Sequence, residues 1–155
     1  MRFIRALAAV AVACALTGTA IAASNTQAVV KMRTTPLGKI LVAANGKTLY
    51  LFMHDTGTKS TCTGACATYW PPLITTGAPK AGAGVNAALL GTTRRANGQM
   101  QVTYHGHPLY FYVKDAKAGQ TSGEGVSAFG AKWFAVSPAG VKVVKAPTGG
   151  GGGYG

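Results

Sequence analysis

The stretch Val42-Ala-Ala-Asn-Gly-Lys-Thr-Leu-Tyr-Leu-Phe-Met-His-Asp55 lines up without gaps against Val102-Thr-Tyr-His-Gly-His-Pro-Leu-Tyr-Phe-Tyr-Val-Lys-Asp115. The copies share Val, Gly, Leu, Tyr and Asp, so the chain carries an internal repeat and its fold must combine two versions of one unit. Each copy reads as a β-hairpin. Asn45-Gly46 is the favoured pair for a two-residue type I′ turn, and His105-Gly106 occupies the equivalent place, with glycine supplying a positive φ. The flanks, Ile40 to Ala44 and Lys47 to Met53, then Met100 to Tyr104 and Leu109 to Val113, are rich in β-forming residues.

Side chains alternate across a strand, so Leu49, Leu51 and Met53 take one face and Tyr50 and Phe52 the other. The second copy repeats this, with Leu109, Phe111 and Val113 against Tyr110 and Tyr112. Both faces are apolar or aromatic, which predicts central strands covered on both sides. Further strands are expected at Val29 to Arg33, Lys132 to Ser137 and Val141 to Lys145, with Pro138-Ala139-Gly140 turning the last two into a hairpin. No sustained 3.6-residue pattern appears, and only Val85 to Leu90 suits a helical turn or two. The expectation is an all-β fold, two hairpin units packed into one small sandwich-like or closed domain with little helix.

Outward from the repeat, the organisation expected is a signal peptide over 1–22, a flexible segment over 23–35, a β-domain over 36–145 and a glycine-rich tail over 146–155. The repeat units occupy about 36–73 and 91–145, and Ile74 to Gly84 reads as a surface loop. Arg2 and Arg5 precede an apolar run from Ala6 to Leu16, and Ala20-Ile21-Ala22 is a small-residue cleavage site that makes Ala23 the mature start. A membrane span needs about 20 strongly apolar residues, and this run is built on alanine and broken at Thr17, Gly18 and Thr19. The mature chain is therefore expected to have no transmembrane span and to be periplasmic or extracellular. Cys14 lies inside the apolar run with no leucine three residues before it, so lipid attachment there is not expected and the residue leaves with the peptide.

The sequence holds 15 Lys and Arg against 3 Asp and Glu, for a formal net charge of +12. Two of the basic residues leave with the peptide and none of the acidic ones do, so the mature surface stays strongly basic. Such a surface attracts an anionic envelope polymer, lipid headgroups or an acidic protein. No clustered Lys/Arg stripe points to specific nucleic-acid binding, Arg94-Arg95 being the only adjacent pair. Cys62 and Cys66 remain in an oxidising compartment, where a disulfide is the default, worth about 2 kcal/mol for so short a loop. A redox or metal site is the alternative. It is weakened because Cys62-Thr63-Gly64-Ala65-Cys66 reads as a Gly/Thr-rich loop rather than a Cys-x-x-Cys opening a helix.

Tyr50-Leu51-Phe52-Met53-His54-Asp55 and Tyr110-Phe111-Tyr112-Val113-Lys114-Asp115 resemble the Y-x-[FWY]-x-x-D motif of the bacterial secreted repeat of unknown function family, predicted lipoproteins and secreted proteins with tandem copies of this unit. Gly46-Lys47-Thr48-Leu49-Tyr50, Cys62-x-x-x-Cys66-Ala67, Trp70-Pro71-Pro72-Leu73, Gln101-Val102-Thr103-Tyr104 and Pro108-Leu109-Tyr110 also look like family positions. The resemblance spans about Pro36 to Gly140. It implies an exported address and a repeated architecture, but no activity. The chain departs from lipoprotein-like relatives in lacking a convincing lipid-attachment signal.

Asp55 and Asp115, two of the three carboxylates, hold the same place in the repeat. A catalytic pair would divide acid and base work between them. The favoured reading is structural: each follows a strand and begins a turn, where its carboxylate accepts backbone N–H bonds. Strand parity puts Tyr50 and Asp55 on opposite sides of an extended strand, so the motif does not present them together. Met53, His54, His105, His107 and the cysteines are ligand types suited to copper or zinc, but the histidines lie around one hairpin turn and at the end of a different strand, so their convergence depends on how the strands pack. The rings of Tyr50, Phe52, Tyr69, Trp70, Tyr110, Tyr112, Trp133 and Phe134 are expected in the core rather than on a ligand platform. No G-x-S-x-G, H-E-x-x-H or nucleotide-binding glycine fingerprint is present. The function expected is a non-enzymatic envelope binding module without catalytic residues or cofactor. The alternative is a periplasmic metal-binding or electron-transfer accessory protein using His54, His105 or His107.

Overall fold

The computed structural model describes residues 26–144. The expected signal peptide, the mature start at Ala23, the end of the last expected strand at Lys145 and the 146–155 tail lie outside the described residues. Chain order runs β1 (Val29–Thr35), β2 (Gly38–Ala43), β3 (Tyr50–Phe52), α1 (Ala65–Tyr69), β4 (Ile74–Thr75), β5 (Lys80–Ala81), a 3-10 turn (Ala87–Leu89), β6 (Leu90–Arg94), β7 (Met100–Tyr104), β8 (His107–Pro108), β9 (Ser127–Ala128) and β10 (Ala131–Ala135). The fold is strand-rich, as the repeat predicts. It is built as three small sheets, β2-β1-β5, β3-β10-β9 and β4-β7-β6, with β8 added to β7.

Two expected boundaries need correction. The segment expected to be flexible up to residue 35 contains β1, which pairs antiparallel with β2 from Val30 opposite Ala43 to Thr35 opposite Gly38. Its alternation explains why: Val30 is fully buried while Lys31 and Arg33 face solvent. The stretch Ile74 to Gly84, expected as a loop, supplies β4 on β7 and β5 parallel to β1. Thr75 anchors it by accepting the amide of Ala28 at 3.1 Å.

The two hairpins turn differently. His105 and Gly106 both have positive φ, 49° and 79°, and join β7 to β8 as a two-residue loop. In the first copy Gly46 alone lies in the left-handed region, at 78°. The amide of Gly46 bonds back to Ala43 O and Ala43 N bonds to Lys47 O, giving a three-residue loop with a glycine bulge in place of the expected Asn-Gly type I′ turn. One extra loop residue shifts the pairing by one. Leu49 N bonds Leu41 O, whereas Leu109 N bonds Val102 O, so Leu41 rather than Val42 is the structural counterpart of Val102. A one-residue slip exchanges the faces of a strand, and Val42 and Val102 accordingly lie in different cores.

Those two cores are sorted by strand parity. Leu41, Ala43, Leu49, Leu51, Val102, Tyr104 and Leu109 join an aliphatic core. Ile40, Val42, Tyr50, Phe52, Tyr110 and Tyr112 join an aromatic one with Trp70 and Trp133. The outgoing strands of the two copies meet at Tyr50 and Tyr110, each amide bonding the other's carbonyl at 2.8 and 3.1 Å. Beyond these residues the regular strand stops early, so Met53 and Val113, expected at strand ends, stand exposed.

Candidate functional site

The motif residues of one copy close on the other copy. The Tyr50 hydroxyl donates to Asp115 Oδ2 at 2.5 Å, and the Tyr110 hydroxyl donates to Asp55 Oδ2 at 2.6 Å. Within each copy Tyr and Asp do not bond each other: the chain turns after Phe52 and after Tyr112, where Asp55 N bonds Phe52 O and Asp115 N bonds Tyr112 O, and the partner of each tyrosine comes from the other repeat. The other oxygen of each carboxylate holds a loop: Asp55 Oδ1 accepts Thr61 N and Thr61 Oγ1, both at 2.7 Å, and Asp115 Oδ1 accepts Ser122 N at 2.9 Å. These partners lie six and seven residues on, not inside the turns that begin at the aspartates. Burial pushes both phenols above the ordinary tyrosine pKa, and the bonded carboxylates add to the shift. At neutral pH each phenol is a hydrogen-bond donor, not a phenolate.

The third motif residue crosses over in the same way. Phe52 stacks on Trp133 of the second copy at 4.1 Å, and Tyr112 stacks on Trp70 of the first at 4.1 Å. The two indoles stack on each other at 3.9 Å and 5°. Tyr50 meets Trp70 edge-on at 5.5 Å and Tyr110 meets Trp133 at 5.2 Å. The column Phe52–Trp133–Trp70–Tyr112 is thus symmetric about the indole pair, and His54 extends one end by stacking on Phe52 at 5.6 Å. Both tryptophans are buried, as core packing predicts. Their equivalence escaped the gapless alignment, although in each copy a tryptophan follows the motif tyrosine and precedes a segment that pairs onto the other copy: Leu73 N bonds Leu109 O as Val136 N bonds Leu49 O.

Cys62 and Cys66 form a disulfide. Cys66 lies within α1, a short helix where an open loop was expected. Arg95 also departs from expectation: only 8% exposed, it donates to Ser60 Oγ at 2.9 Å, Gln101 Oε1 at 2.6 Å and Cys62 O at 2.7 Å. Ser60 Oγ lies 2.8 Å from the Tyr110 hydroxyl, so this cation buttresses one of the two Tyr–Asp locks through neutral groups. His54 Nδ1 sits 3.1 Å from Thr61 Oγ1, and the rings of His105 and His107 are 6.4 Å apart. Among the described residues no three His, Cys, Asp or Glu side chains gather where they could hold a metal ion.

Glu124, the third carboxylate, accepts the amide of Ala135 at 2.7 Å; burial raises its pKa and that bond lowers it. All three Asp and Glu carboxylates are therefore drawn inward: Asp115 is buried, and Asp55 and Glu124 are half-buried. Of the described Lys and Arg residues only Lys47 and Arg95 are not exposed. No helix among the described residues is long and apolar enough to cross a membrane.

A strand-rich domain of two hairpin repeats, locked together by exchanged Tyr–Asp bonds and an exchanged ring stack, defines the class. The chain belongs to the family described as secreted repeat of unknown function, which matches residues 31–74 and 91–137. An exported protein with two repeats is what that description gives. Neither a curated protein nor a solved structure matches the chain.

Proposed function

We propose that the domain is a non-enzymatic binding module that holds an anionic envelope polymer through its basic surface. One observation carries this reading: the carboxylates are spent on internal hydrogen bonds while, among the described residues, every Lys and Arg except Lys47 and Arg95 stands exposed. The motif aspartates, the best candidates for acid–base chemistry, are occupied on both oxygens by bonds that close the fold, which supports a structural role over a catalytic one. Retention on an immobilised polyanion such as polyphosphate, in low and in high salt, tests the reading. Strong retention that collapses with salt is expected. Retention indifferent to salt, or none, overturns it; retention only on anionic vesicles or on an acidic protein assigns the surface to that partner instead.

A second reading, an electron-transfer accessory protein, is favoured by the ring column alone, since stacked indoles can pass an electron between an exposed end at His54 and Tyr112 at the other end. A ruthenium label on His54, oxidised by a flash, should then yield a transient tryptophan radical. An oxidised label that decays at the same rate after Trp133→Phe removes this reading.

A further inference from the structure

The turn between β9 and β10 places an aromatic residue where the backbone disfavours one. Ala128 pairs with Ala131, leaving Phe129-Gly130 as a two-residue loop with φ of 55° and 90°. Asparagine or glycine is the usual first residue of such a turn: glycine has no Cβ to crowd the backbone, and the short amide of asparagine can hydrogen-bond locally. A phenylalanine in this conformation is an outlier of the kind that gathers at binding sites, where neighbouring structure enforces it. The ring is also 43% exposed, so burial does not explain it.

The strained ring borders a cleft. Phe129 lies 6.0 Å from Tyr69, itself 51% exposed at the end of α1. With Trp70, Tyr112 and Lys114 they line an open hollow of about 200 Å³, room for a single ring rather than an extended ligand. Its polar groups are uncommitted. The hydroxyls of Tyr50, Tyr104 and Tyr110 all have partners within the chain. Among the described residues those of Tyr69 and Tyr112, the two tyrosines of the cleft, bond to nothing in the chain. Lys114 at the rim has no carboxylate partner, because all three carboxylates are engaged elsewhere.

We propose that this cleft binds one anionic sugar residue of an envelope polysaccharide, its ring lying against Tyr69 and Phe129 and its acidic group at Lys114. Aromatic faces suit the C–H faces of a pyranose, and two phenol hydroxyls suit its hydroxyls. A lipid chain would leave those hydroxyls unmatched, and a bare polyanion would leave the rings unused. The proposal rests on the basic-surface reading and gives it a ligand class and an address.

The test uses a uronic-acid oligosaccharide, its methyl-esterified neutral counterpart and polyphosphate as probes, with the parent protein and Phe129→Asn, Tyr69→Ala and Lys114→Met. Phe129→Asn suits the turn, so its fold is not in question. The uronate should bind the parent and weaken by about tenfold in Phe129→Asn and Tyr69→Ala. Lys114→Met should bring uronate and ester to similar affinity. Polyphosphate binding should be unchanged by the two aromatic substitutions. Uronate binding insensitive to both aromatic substitutions overturns the cleft while leaving the basic surface standing if polyphosphate still binds. Loss of polyphosphate binding alone overturns the surface reading and leaves the cleft. Equal binding of acid and ester by the parent refutes the anionic part, a sugar phosphate that outcompetes the uronate reassigns the acid group, and no binding of any sugar refutes the proposal outright.

Discussion

Replacing Asp115 separates the two halves of the Tyr–Asp account. The carboxylate is 1% exposed and accepts from the Tyr50 hydroxyl on one oxygen and from Ser122 N on the other. Asp115→Ala leaves the buried phenol without its acceptor and frees the loop amide to solvent. An orphaned buried donor costs about 1–3 kcal/mol, so with the cavity and the freed loop the loss is about 3 kcal/mol. Asp115→Asn keeps one acceptor oxygen of nearly the same shape and forfeits mainly the charge assistance, about 1 kcal/mol. At roughly 4 °C per kcal/mol for a domain of this size, melting should fall by about 12 °C for Ala and about 4 °C for Asn. Asp55 is half-buried, so its Ala variant should lose less than Asp115→Ala. Differential scanning calorimetry of the three variants at neutral pH measures these shifts. Equal losses for Ala and Asn, or parent-like melting for Asp115→Ala, would refute the reasoning.

Both motif phenols have raised pKa values, so the folded state holds their protons more tightly than the unfolded chain. Their contribution is intact below the ordinary tyrosine pKa, and melting temperature should fall as pH rises above about 10. Tyr50→Phe and Tyr110→Phe should flatten that decline, and an unchanged slope contradicts the assignment. Glu124 also has a raised pKa, caused first by burial, and the sign is again one of stability lost with rising pH, here through the weakly acidic range above the ordinary carboxyl value. Glu124→Gln keeps an acceptor for Ala135 N and should remove that part of the pH profile; a profile superimposable on the parent's counts against it. Reducing the Cys62–Cys66 bridge should cost about 2 kcal/mol, read as a shift in denaturant midpoint with and without reductant. A shift as large as that of Asp115→Ala would mean that the bridge does more than pin its loop.

Much of this fold is legible in the chain. The parity of Leu49-Tyr50-Leu51-Phe52 and Leu109-Tyr110-Phe111-Tyr112 predicts two apolar faces, and those faces became two cores. Parity does not carry past Phe52, where the chain turns, so it does not account for the exchanged pairing; that Asp115 comes to Tyr50 needs the two copies docked in space and has no local signal. The hairpin loops show where pattern misleads: Asn45-Gly46 and His105-Gly106 align in sequence, yet only the second has both residues at positive φ. Short elements such as β4, β5 and α1 owe their geometry to tertiary pairing rather than propensity, so Ile74 to Gly84 and Cys62 to Tyr69 read as loop. Arg95 is hidden for the same reason, since its three acceptors come from Ser60, Gln101 and Cys62. The cleft beside Phe129 had one available clue, an aromatic before Gly130 in a strand–turn–strand setting.

The exchange of motif residues between repeats is tested most directly by double-mutant cycles on Tyr50. With Tyr50→Phe as the common arm, pairing it with Asp115→Ala should give a coupling of about 1–3 kcal/mol, because either single change already breaks the bond. Pairing it with Asp55→Ala, the aspartate of its own copy, should be additive within about 0.5 kcal/mol. Strong coupling to Asp55 with additivity at Asp115 would contradict the exchanged arrangement.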